Sequence, residues 1–144
     1  MNPDVIFYDV DPQGWDARVF KLAAAAWERN STKLLILVEG DERAEALDTF
    51  LWTHREEVFL PHEWVRPGQE LQDAEARVLI TTEEANPHGA RLLVLDRPAS
   101  LEFAATFDVV MDVVDRRSEE RLSASRERFK AWRDRGVTPA HKKA

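Results

Sequence analysis

KLLILV, residues 33–38, is apolar after its first residue and shows no alternation. A strand with one wet face alternates polar and apolar side chains, so a run like this one is buried on both faces, as in a parallel sheet. Glu39 and Gly40 end the run, and Asp41 is placed to accept hydrogen bonds from the first free amides of a helix. At about 100° per residue, Ala44, Leu47, Phe50 and Leu51 then share one side, the expected buried stripe. Upstream, a strand over Val5–Val10 stops at the loop signals Asp9, Asp11, Pro12 and Gly14. A helix follows from Trp15 or Asp16 to Glu28, with Val19, Leu22, Ala23 and Ala26 on its apolar side and Phe20 and Trp27 widening it. Strand, helix, strand, helix is the βαβα pattern of an α/β sheet.

Downstream the signals shorten. Glu63–Val65 reads as a brief strand, Arg66-Pro67-Gly68 as a turn, and Arg77–Thr82 and Arg91–Asp96 as two strands separated by a loop through Asn86, Pro87 and Gly89. A short helix starts near Ser100, Val109–Val114 is the last expected strand, and a charged helix spans Ser118–Arg135. The tail from Gly136 has too little apolar content to be expected in an ordered element. Together these segments predict one α/β domain over residues 1–144. Its mostly parallel central sheet should have about five or six strands, with helices on both faces.

At 144 residues and 44% hydrophobic content the chain can bury a substantial core. No run approaches the roughly 18 apolar residues of a membrane span. The start, MNPDVIFYDVD, lacks the basic flank and apolar stretch of a signal peptide. The absence of cysteine excludes disulfides and thiolate chemistry. A cytoplasmic protein with no membrane partner is expected. Net charge is −7, unevenly spread: residues 116–144 hold ten Lys or Arg against four acids, a net +6, which leaves −13 on the first 115. The basic end suits an acidic peptide or a phosphate backbone, while the acidic body repels long nucleic acid.

Known catalytic patterns find little support. The first βα loop, DVDPQGW, has Gly14 alone in place of a GxGxxG fingerprint, and the second, VEGDER, has Gly40 without a phosphate-binding lysine. None of His54, His62, His88 and His141 pairs at the i, i+4 spacing of a zinc motif. His62 beside Glu63 reads as a structural or surface histidine more readily than as a general base. No cofactor and no catalytic activity are expected. The rival from another class is a small α/β enzyme using Asp9, Asp11 and Glu39 at the ends of the first two strands.

Two stretches look like recognition surfaces. Trp52 falls on the flank of its helix's buried stripe, and Val58, Phe59, Leu60 and Pro61 follow close behind. One reading is an exposed apolar patch that receives a protein; the other is aromatics completing the core at a helix end. In the last helix, Leu122, Ser125, Phe129 and Trp132 form the inward stripe, and Arg126, Lys130 and Arg133 line one edge of it. Guanidinium groups take carboxylates through paired hydrogen bonds, and an adjoining apolar hollow takes a side chain, so this edge suits an acidic peptide with an apolar end. An ordinary solvated flank is the other reading.

With both stretches in view, the chain resembles the chi subunit family of bacterial DNA polymerase III. The resemblance rests on Phe7-Tyr8, Leu51-Trp52, FLPH at Phe59–His62, FDVVMDVVD at Phe107–Asp115 and RERFKAWRDRG at Arg126–Gly136, in the same order over nearly the whole length. It implies a Rossmann-like fold without nucleotide chemistry and a role as a clamp-loader accessory in the bacterial replisome, with DNA contact only indirect. It implies two partners. The psi subunit would bind at Trp52, Phe59 and Pro61. The acidic C-terminal tail of single-stranded DNA-binding protein, ending in phenylalanine, would bind at Arg126, Phe129, Lys130 and Arg133. A repair helicase docking through the same Trp52 face is the rival within binding proteins. The chain departs from the family pattern at Phe129, commonly tyrosine, and at Leu122, lysine in some members, where Arg121 is the candidate substitute.

Overall fold

A computed structural model describes residues 2–28, 32–55, 60–72 and 76–143. Its elements are β1 (Asp4–Asp9), a 3-10 turn at Pro12–Gly14, α1 (Trp15–Glu28), β2 (Leu34–Leu37) and α2 (Asp41–Thr53). They continue with β3 (Glu63–Trp64), β4 (Val78–Thr81), β5 (Leu92–Leu95), α3 (Leu101–Ala104), β6 (Val109–Val113), α4 (Glu119–Asp134) and β7 (Ala140–Lys143). The seven strands form one sheet in the order β3-β4-β2-β5-β6-β1-β7. Every pairing is parallel.

The unbroken apolar run at residues 34–38 is central and wholly covered. Because side chains alternate along a strand, Leu34, Ile36 and Val38 meet Val19, Phe20 and Ala23 of α1 and Ala44, Leu47 and Leu51 of α2 on one face. Leu35 and Leu37 join Ala104 of α3, Phe107 just after it and Trp132 of α4 on the other. The expected α/β architecture, Rossmann-like with helices on both faces, is therefore present.

Three expectations need correction. The sheet has seven strands, not five or six, and Val109–Val113 is followed by β7. The tail from Gly136 is ordered through residue 143 by means that apolar content does not report. Gly136 ends α4 with φ 95°, its N–H donates to Arg133 O at 3.0 Å and the Val137 N–H to Trp132 O at 2.9 Å, a Schellman stop that turns the chain back to the sheet. Val137 is buried on the same cluster as Trp132, and β7 then pairs along β1 from Ile6↔Ala140 to Asp9↔Lys143 with all four of its side chains exposed. The third correction concerns α2. Gly40, not Asp41, is its N-cap, in extended geometry without a side-chain acceptor. Asp41 lies one residue inside, where with Glu42 it favours the positive end of the helix dipole.

Candidate functional site

At the end of α2, Trp52 is 42% exposed, the one large hydrophobic residue so exposed among the described residues. Its ring lies 4.3 Å from that of His62, inclined 36°. The His62 side chain is fully covered. Its Nδ1 is 2.9 Å from the Leu60 carbonyl and its Nε2 is 2.8 Å from the Asp48 carboxylate. His62 thus fastens the chain that leaves α2 back onto α2, beneath Trp52. This is a structural histidine. Leu60 is buried and Pro61 half-buried, while Val58 and Phe59 lie outside the described residues. The core-completing reading therefore fails for Trp52.

The second arrangement is a groove between α4 and β7, enclosing a cavity of about 190 Å³. Phe7 of β1 and Val114 face into it, α4 supplies Leu122, Arg126 and Phe129, and β7 supplies His141. Phe129 packs on Phe7 with ring centres 5.3 Å apart, so the apolar floor is continuous with the core. Arg126, Lys130 and Arg133 are exposed, and among the described residues none of the three is in an ion pair. Of the three, Arg126 borders the cavity, whereas Lys130 and Arg133 are not among its lining residues.

Other cations of the same region are committed. Arg116, on the groove's rim, holds Asp9 at 2.7 and 2.8 Å, and His141 Nε2 lies 3.3 Å from the same carboxylate. The hydrogen bond from Arg116 leads the effects that draw the Asp9 carboxyl down to about 2. Arg128, two residues from Arg126, reaches inward to the buried Asp112 at 2.8 and 3.0 Å. Burial pushes the Asp112 carboxyl up, against the opposing pull of Arg128. Arg121 does not replace a lysine at Leu122: it turns to Asp115 at 3.5 Å and Glu39 at 3.7 Å, beside a different cleft.

A smaller cavity of about 150 Å³ sits at the C-terminal ends of β1 and β6, where open α/β sheets place ligands. Here Arg43 pairs with Asp96 at 2.8 Å and Asp16 at 2.6 Å, and Trp15 Nε1 donates to Asp96 at 2.8 Å. Burial works against the Arg43 charge, but its two carboxylate partners more than offset that and raise its pKa. Arg117 pairs with Asp115 at 2.6 Å; burial would raise the Asp115 carboxyl, but Arg117 and Arg121 bring it to about 2. The three acids of the enzyme reading are not gathered. Asp9 is held by Arg116, Asp11 lines a cleft with Arg18 and Lys21, and Glu39 lines another with Arg97 and Arg121.

Sequence reasoning missed His141, Arg116 and Phe7 as groove residues. Only Phe7 carried a sequence signal, as part of an apolar strand; the other two needed β7 to be placed.

Residues 2–140 match the family described as DNA polymerase III chi subunit, HolC. The chain is also similar to the DNA polymerase III subunit chi of Escherichia coli (strain K12), 32% identical over 119 residues that cover 82% of this chain and 78% of that protein.

Proposed function

This chain belongs to the DNA polymerase III chi subunit family, and on that basis we propose a non-enzymatic adaptor that joins the clamp loader, through psi, to single-stranded DNA-binding protein. Psi docks on Trp52, Phe59 and Pro61, and the acidic tail of single-stranded DNA-binding protein seats in the α4–β7 groove on Arg126, Phe129, Lys130 and Arg133. The adaptor works in the bacterial cytoplasm, and its contact with DNA runs through the tail's owner. The observation that carries this reading is the pairing of an apolar cavity with Arg126 at its edge. A terminal phenylalanine fills the hollow while its chain's carboxylates meet the cations. An exposed ion pair alone contributes about 0–1 kcal/mol, so the apolar seat supplies much of the affinity. Holding both partners on one rigid body raises their effective concentration for each other at the fork.

The test is titration of a labelled tail peptide into the wild type and Arg126→Ala, at low and moderate salt. Binding that weakens with salt and is weaker in the variant, with a flatter salt dependence, is expected; binding indifferent to Arg126 would move the site elsewhere.

A further inference from the structure

Resting on the groove as the tail's seat, we propose that the outer edge of β7 is a docking strand along which the same acidic peptide adds to the sheet upstream of its terminal residue. β7 ends the sheet and pairs with β1 alone among the described strands. In a parallel pair, alternate backbone N–H and C=O groups of each strand turn away from the partner, so β7 presents a row of donors and acceptors outward. The opposite edge differs. β3 is two residues long, and the carboxylate of its Glu63 accepts from Gln72 N at 2.8 Å.

The edge and the cavity are continuous. His141 stands opposite Phe7 in the register, so the two point to the same face of the sheet, and both line the groove. A chain whose last side chain occupies the cavity therefore leaves it beside β7. Charge selects the kind of chain. Lys142 and Lys143 are exposed, β7 contains no acid, and Arg126, Lys130 and Arg133 stand exposed on α4. An extended acidic segment meets cations from both sides and takes its backbone hydrogen bonds from the strand edge, the mode in which sheets capture peptides.

The experiment uses the full chain and a fluorescent acidic peptide ending in Phe, with the upstream amides N-methylated one at a time. Loss of binding at every second position, by about tenfold or more, and little change at the positions between, is the expected result. Normal binding of the unmodified peptide with no such alternation would overturn the docking strand and leave the groove in place; Lys142 and Lys143 would then only guard the edge against self-pairing. Failure of the unmodified peptide to bind would overturn both. A chain ending at Pro139 gives a second reading: retained psi binding with tail affinity lowered about tenfold or more supports the strand, and unchanged tail affinity contradicts it.

Discussion

At the end of α2 an indole stands out of the surface with a covered imidazole behind it, whereas between α4 and β7 the apolar atoms line a hollow and cations stand at its edge. The first arrangement offers flat apolar area, which a partner buries with little regard to ionic strength. The second offers a pocket for one side chain and exposed charges, whose attraction salt screens over about 10 Å at 0.1 M. Their positions differ as much as their chemistry. α2 packs toward β3 and β4 on one face of the sheet, and α4 lies on the other face with its groove at β1 and β7. Six strand spacings separate the two edges, roughly 29 Å. On the proposed function, two partners seated so far apart, on opposite faces, would not collide, which is what an adaptor requires.

The sharpest contrast lies within α4 itself. Arg128→Ala leaves Asp112 buried without its partner and is expected to destabilise the fold by about 3–5 kcal/mol in denaturant unfolding, while Arg126→Ala, two residues away, should change stability by no more than about 0.5 kcal/mol. Equal losses would mean that the groove's cations are structural. Next in size is Trp52→Ala, for which psi affinity should fall by about 2 kcal/mol or more with tail affinity unchanged; Phe59→Ala is expected to act the same way. Simultaneous loss of both activities in a folded Trp52→Ala variant, read by calorimetry, would break the separation of the surfaces. Arg126→Ala should weaken the tail peptide by up to about 1 kcal/mol and flatten its salt dependence.

The smallest expected effect is on acid stability. Asp9 and Asp115 are held at about 2 in the fold against an ordinary 3.8. A carboxyl depressed in the folded state stabilises it fully above the unfolded value and loses that contribution as pH falls through the folded one. Stability should therefore be level from these groups well above pH 3.8 and decline as pH falls through 3.8 toward 2. A pH-independent Tm in that window would show the two pairs to be inert.

Much of this was legible in the residues. Period-two and period-3.6 apolar patterns report burial, so KLLILV gave its central strand and the Leu122, Ser125, Phe129 and Trp132 stripe gave the inward side of α4. The same patterns are silent where order comes from backbone pairing. β7 has four exposed side chains, so nothing in AHKK marks a strand; the sign was Gly136 followed by Val137, a helix stop with an apolar residue to anchor the return. Side-chain partners across the fold were also hidden. Asp112 inside FDVVMDVVD was a clue, since an acid in a buried strand needs a cation, but which of the arginines on α4 would reach it depended on the packing. The cap of α2 was misplaced by one residue because Gly40 can take the extended cap geometry itself and leave Asp41 to the helix.

The most direct measurement is the Kd of the labelled tail peptide for this protein alone and for the same protein saturated with psi. Values within about twofold of each other are expected, because the two surfaces share neither residues nor a face of the sheet and independent sites add. Displacement of the peptide by psi would contradict two separate seats on one body.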